Sequence, residues 1–193
     1  LKDSPEIAAR MIKEGHIVGN HSNTHPVFPT ISRTKMAQEI QECDNYLREH
    51  FGYSAPFFRF PTGEYSDSAL DLVQSLGYTS VFWSVAYGDY NVNKQQGKQY
   101  AFDKVTARLH PGAVLLLHAV SKDNTAALGE IIDWAREQGY VFKALTSIRV
   151  KHFVFRDSKE RIAAYAAMRS FSRRSFTNPS YSCLLYTSDA ADE

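Results

Sequence analysis

The sequence predicts an α/β protein built on a parallel sheet or barrel covered by helices. Three observations carry the prediction. Helical and strand patterns alternate from Ser4 to Leu145 with short connections, the pattern of repeated βα units. The run Ala113-Val114-Leu115-Leu116-Leu117 is apolar without interruption, as a strand buried on both faces must be. Polar clusters stand just after four of the predicted strands, the positions where α/β folds gather active residues.

Each element has a local reason. Ser4-Pro5-Glu6 supplies a helix cap, a proline at the first helical position and an acid in the first turn, and Ile7, Met11 and Ile12 give that helix an apolar face. Gly15 stops it, and residues 16–20 (His-Ile-Val-Gly-Asn) read as a short strand. Ser32 opens a longer helix with Met36, Ile40, Cys43 and Leu47 along one stripe, ending at Gly52. Residues 56–60 form the next predicted strand. Ser66 caps a helix with Leu70, Val73 and Leu76 facing inward, closed by Gly77. Residues 78–85 are rich in aromatic and β-branched side chains, as strands are. A polar loop through Lys94, Gln95, Gln96 and Gly97 leads to a helix over 100–109. After the His110-Pro111-Gly112 turn comes the apolar strand. Asn124 is expected to cap the next helix, which ends at Gly139, and residues 140–145 form the last clear strand.

Composition narrows the classes. With 193 residues, 44% of them hydrophobic and 13% aromatic, the chain can bury a sizeable core. No apolar run approaches the ~20 residues of a membrane span. Lysine and arginine number 22 against 21 acids, so overall charge makes no case for nucleic acid. Cys43 and Cys183 cannot form a disulfide framework, and Cys43 falls in a helical apolar stripe as a core residue. Residues 149–174 hold eight basic residues against two acids, so 149–182 reads as a basic tail with one possible helix over 159–168. Residues 183–193 resemble a translated sequencing adapter and are set apart from functional reasoning. The chain opens on Leu1 without a signal peptide, and a preceding segment is expected.

Four constellations carry chemistry. In His21-Ser22-Asn23-Thr24-His25, two imidazoles four residues apart can meet one divalent ion if the segment makes a helical turn. Two solvated loop histidines are the plain alternative, and the zinc-protease pattern H-E-x-x-H is excluded because Ser22 follows His21. In Arg59-Phe60-Pro61-Thr62-Gly63, an arginine at a strand end precedes a rigid turn with an exposed N–H. The arginine can hold a carboxylate and the N–H an oxyanion, or the segment is an ordinary surface turn. Trp83-Ser84-Val85-Ala86-Tyr87-Gly88-Asp89-Tyr90 puts an acid and aromatics after a strand, where Asp89 caps a loop or orients Arg59, and the aromatics pack or stack on a sugar face. His118 ends the apolar strand, either as a hydrogen-bonded core histidine or as a functional one.

The order H-S-x-x-H, R-x-P-x-G, D-aromatic, L-x-H resembles the polysaccharide deacetylases of carbohydrate esterase family 4, the NodB-homology domain. Within that family, residues 81–86, the loop at 93–98 and the stretch 110–124 look most like the peptidoglycan (muramic acid) deacetylases of spore formation. The resemblance covers residues 1–148 and implies a distorted (β/α) barrel that lacks its N-terminal strands. It implies a hydrolase that removes N-acetyl groups from a polysaccharide, with a cell-envelope or extracellular location and no nucleic-acid partner. His21 and His25 would be ligands of a divalent metal, most commonly Zn²⁺. His118 would be the general acid, Arg59 would position the catalytic base, and Asp89 would orient Arg59. Pro61 and Thr62 would form the substrate-side turn, with the N–H near Thr62 on the oxyanion, while Tyr90 and Leu116 would line the acetyl pocket. Three departures stand out. Phe60 replaces the family's usual proline and Tyr90 its usual tryptophan. The family's first motif, a pair of acids giving the base and the third metal ligand, is expected before Leu1, so that residues 1–193 alone would be inactive. The competing readings are an inert carbohydrate- or metal-binding relative, a chitin-oligosaccharide deacetylase, and an unrelated barrel hydrolase.

Overall fold

A computed structural model describes residues 4–147 and the backbone of 182–187; the basic tail and its expected helix lie outside the described residues. The chain folds as two compact units that meet in sequence between Phe82 and Trp83.

In the first unit, helix α1 spans Pro5–Lys13 and helix α2 Arg33–Phe51. Met11 and Ile12 of α1 pack with Val18, Cys43, Leu47 and Ala55, whereas Ile7, expected on the same face, is exposed and Ala8 is buried in its place. Ser32 caps α2 by accepting the Lys35 N–H, and Gly52 ends it at φ 60°, a left-handed conformation that glycine adopts without penalty. Strand β1, Phe57–Phe58, pairs in parallel with β2, Thr79–Ser80, and helix α3, Asp67–Ser75, runs between them with Ser66 as its cap. The strand expected at 16–20 reduces to a parallel bridge between Asn20 and Phe58. It is short because Asn20 leaves the sheet at once: its N–H donates to Phe57 O, its C=O accepts from Arg59 N, and the chain then turns. Phe60 meets Phe28, Phe58 and Phe82 with ring centroids 5.0–5.9 Å apart, so its bulk is absorbed into an aromatic core.

In the second unit, helix α4 is Lys98–Thr106, strand β3 Val114–His118, helix α5 Lys122–Glu137 and strand β4 Phe142–Lys143. Leu115 and Leu117 of β3 join Val105, Ala127 and Ile131 in the core, which leaves Leu116 and His118 together on the other strand face. Val85 bridges Leu115 in parallel, all that remains in this unit of the longer strand expected over 78–85. Residues 182–187, which except for Ser182 belong to the stretch set apart on sequence grounds, form strand β5, Ser182–Thr187, between β3 and β4 and parallel to both. A six-residue segment of strand-forming character fills the open hydrogen-bonding edge that β3 would otherwise present. Asn124 does not cap α5. Ser121 does, accepting the Asn124 N–H, because the cap belongs one residue before the helix rather than inside its first turn.

Among the described residues, the strand pairings are parallel and strands β1 to β4 alternate with helices, as the α/β prediction requires. Among the described residues, no helix is long and apolar enough to cross a membrane.

Candidate functional site

The chemistry-bearing residues fall into two clusters, one in each unit. The first is organised by Asn20, which is fully buried where β1 meets the loop after residue 20. Its amide donates to Ile40 O at 2.9 Å and to the Tyr78 hydroxyl at 3.3 Å, while its Oδ1 accepts the Ser22 N–H at 3.0 Å. Residues 21–25 do not make a helical turn, the conformation in which their spacing would bring both imidazoles to one ion. Ser22 and His25 take φ values of 69° and 56°, and the Ser22 hydroxyl accepts the His25 N–H. These left-handed residues fold the loop back on itself. The imidazoles of His21 and His25 thereby come to 4.9 Å between ring centroids, edge to face at 74°.

A buried acid holds that loop from outside. Glu39 of α2 is fully buried, and its carboxylate accepts the N–H groups of Asn23 and Thr24 at 3.2 and 2.8 Å and the Thr24 hydroxyl at 2.9 Å. Lys35 lies 3.0 Å from the same carboxylate. Burial alone would raise the Glu39 pKa, but the Thr24 backbone, Lys35 and the Thr24 hydroxyl together outweigh it, and the net shift is downward. Sequence reading missed Glu39. The signal was there: an acid three residues after Met36 stands in the stripe formed by Met36, Ile40, Cys43 and Leu47.

His21 Nδ1 lies 2.6 Å from Arg59 O. A carbonyl can only accept, so Nδ1 carries the hydrogen and the lone pair sits on Nε2, the form in which imidazole ligates a metal. Two adjacent imidazoles with one so oriented fit part of a divalent-metal site. Among the described residues, no group of three or more His, Cys, Asp or Glu side chains could hold an ion. Arg59 is buried, and the turn after it, Pro61–Gly63, has Thr62 at φ 56° and ψ −3°. A left-handed β-branched residue is uncommon.

The second cluster surrounds His118 at the end of β3. His118 Nδ1 lies 2.7 Å from Asp89 Oδ1, and the His118 N–H donates to Asp89 Oδ2 at 2.7 Å. Asn124 Nδ2 donates to the same Oδ2 and, at 3.1 Å, to His118 O. Asp89 is 2% exposed; burial pushes its pKa up, but the His118 ring, the His118 N–H and Asn124 pull it further down, so it stays ionised. These contacts tie Asp89 to His118, because the strand end carries both an N–H and a ring nitrogen that a single carboxylate can accept from. The exposed Tyr90 ring stands 6.0 Å from the His118 ring at 74°, and Leu116 shares the strand face of His118. Asn124 was read only as a helix cap and Tyr87 only among the aromatics of its loop; the hydrogen bond from the Tyr87 hydroxyl to Asn124 Oδ1 was not foreseen.

A family model described as polysaccharide deacetylase matches residues 1–81. The peptidoglycan-N-acetylmuramic acid deacetylase PdaA of Bacillus subtilis is 42% identical over 153 residues, which cover 77% of this chain and 57% of that protein. A chitooligosaccharide deacetylase of Sinorhizobium fredii is 30% identical over 158 residues, covering 75% of this chain and 72% of that one. The solved structure of Bacillus subtilis PdaA, a family 4 carbohydrate esterase, superposes with a TM-score of 0.71 at 41% identity, over 74% of this chain and 61% of that one. The chain thus spans little more than half the length of the PdaA relative.

Proposed function

Because this chain belongs to the polysaccharide deacetylase family, we propose that the protein removes N-acetyl groups from a glycan by metal-assisted amide hydrolysis, with the N-acetylmuramic acid of peptidoglycan as its substrate. The observation that carries this reading is the His118–Asp89 pair: an imidazole oriented by a buried, ionised carboxylate at a strand end. The likeness at 42% identity to a protein named for N-acetylmuramic acid supports that sugar over chitin-type oligosaccharides, whose deacetylase relative is 30% identical. The reading carries with it a distorted (β/α) barrel and a place of action at the cell wall.

Hydrolysis of an amide must stabilise negative charge on oxygen and protonate the departing nitrogen. His21 and His25 would hold a divalent ion, Zn²⁺ in this proposal, which when bound polarises the carbonyl and acidifies water. The carbonyl of Arg59 keeps His21 in the ligating tautomer. Arg59 orients the base through its guanidinium, and the left-handed Thr62 presents its backbone N–H to the oxyanion beside Pro61. His118, with Nδ1–H bound to Asp89, offers Nε2–H to the amine as general acid, and Asp89 stabilises the imidazolium before the proton leaves. Tyr90 and Leu116 line the acetyl group.

The experiment is to treat purified peptidoglycan and chitin oligomers with the full-length protein, measure acetate, and identify the deacetylated sugar after hydrolysis. Muramic acid without its acetyl group, lost on chelation and restored by zinc, is the expected result. Release from chitin oligomers alone would reassign the substrate, and zinc-independent release would overturn the metal's role.

A further inference from the structure

The hydrogen-bond chain around His118 extends beyond the pair that touches the reaction. Tyr87 and Asn124 lie at its far end, and neither has a role in the chemistry above. The Asn124 side chain is also not needed by its own helix, since the Ser121 hydroxyl caps α5 and accepts the Asn124 N–H at 3.2 Å. Yet Asn124 is only 4% exposed, and its amide engages three partners: Asp89 Oδ2, His118 O and the Tyr87 hydroxyl.

The direction of those bonds decides the geometry. The two oxygens of Asp89 are divided between tasks. Oδ1 accepts the ring N–H of His118, and Oδ2 accepts the His118 backbone N–H and the Asn124 amide. Two donors on Oδ2 oppose rotation of the carboxylate, so Oδ1 stays aimed at the ring. An asparagine amide can present either its oxygen or its nitrogen, and a flipped Asn124 would set oxygen against a carboxylate oxygen. The Tyr87 O–H settles which, because it donates to Oδ1 and so turns Nδ2 toward Asp89. Burial, and next the charge of Asp89, push the Tyr87 pKa up to about 12, which keeps that proton in place.

We propose that Tyr87 and Asn124 are positioning residues for His118: the hydroxyl orients the amide, the amide fixes the Asp89 carboxylate, and the carboxylate keeps the ring bound through Nδ1–H, so that the proton given to the amine is the one on Nε2. The inference rests on the reading of His118 as proton donor. Neither residue holds substrate in that arrangement, so their removal acts on turnover and leaves KM in place.

The test uses Tyr87→Phe, Asn124→Ala and the double variant in the full-length protein, with two readouts. One is kcat and KM for acetate release from peptidoglycan. The other is the proton resonance of His118 Nδ1–H, assigned by its absence in His118→Ala, which requires no activity. Asn124→Ala should lower kcat by about 10- to 100-fold, the scale of partners that orient an active imidazole, and Tyr87→Phe by less. KM and bound zinc should stay unchanged, the Nδ1–H line should broaden or move, and Tyr87→Phe added to Asn124→Ala should have no further effect. If Asn124→Ala fails to fold, Tyr87→Phe lacks one hydroxyl and decides alone. An unchanged Nδ1–H line and kcat in a folded variant would overturn the inference even where deacetylation is intact. A displaced line in a protein whose unsubstituted form releases no acetate would uphold the positioning chain and overturn the deacetylase reading instead.

Discussion

The loop of His21 and His25 and the pair of Asp89 and His118 reach their geometry by different means. In the loop, the two imidazoles are four residues apart, and backbone groups bring them together: left-handed φ at Ser22 and His25, a carbonyl from Arg59, and two N–H groups gathered by Glu39. In the pair, the partners stand 29 residues apart, and side chains join them, with Asn124 reaching across a further 35 from Asp89. The loop is thus a matter of local conformation stiffened by one distant acid. The pair has no local component and exists only once the loop that carries Asp89 has packed against the end of β3. The difference suits the proposed roles: ligands that share one ion gain from a rigid backbone, whereas a proton donor needs its ring orientation and charge controlled, which falls to carboxylate and amide groups.

His118→Ala should have the largest effect and lower deacetylation by roughly 10²–10⁴-fold, the range for a lost general acid, with zinc still bound. Isothermal titration with zinc beside an acetate assay separates the two effects. Loss of metal in this variant would move His118 into the ligand set and erase the division of labour. Replacing both His21 and His25 by alanine should do the reverse and weaken zinc binding by more than about tenfold, since a direct ligand matters at least as much as the partners that orient it. Unchanged zinc affinity would remove the loop from the metal site.

Glu39→Ala should sit between the two. It strips the loop of its buried acceptor, and hydrogen bonds to a charged group are worth about 1.5–3 kcal/mol, so both the unfolding free energy and the zinc affinity should fall. Denaturant unfolding and zinc titration on one preparation check this; a stability loss with unaltered zinc affinity would make Glu39 a fold residue alone. The smallest effect is that of pH. Glu39 and Asp89 both have lowered pKa values in the folded protein. Their stabilisation is complete above the unfolded values, about 4.3 for Glu and 3.9 for Asp, and disappears as pH falls through the lower folded values. Tm should therefore decline on acidification below about pH 4.5, and Glu39→Gln should flatten part of that decline. A Tm that holds steady down to pH 3 would contradict both assignments.

The sequence by itself determined what short range can determine. Ser32 and Gly52 bounded α2 because a hydroxyl before the helix and a left-handed residue after it satisfy the helix ends wherever they occur. The βα alternation and the order of the four motifs were legible for the same reason, and with them came His21, His25, Arg59, Asp89 and His118 as the residues to watch. Strand lengths were not legible: residues 78–85 have the composition of a strand, yet the only strand within them is β2, Thr79–Ser80, because pairing depends on the partner's register. Nor was the partner of Asp89. A carboxylate after a strand can serve any donor that packing delivers, and here the nearest are the backbone and ring of His118 and the amide of Asn124. The buried acid behind the loop of His21 and His25 and the hydroxyl behind the Asp89–His118 pair were likewise decided by tertiary structure, since each acts through contacts 15 to 37 residues away in the chain. Residue type announces which groups can ionise, donate or ligate; which of them meet is fixed by the packing of α2 beneath one loop and of α5 beside β3.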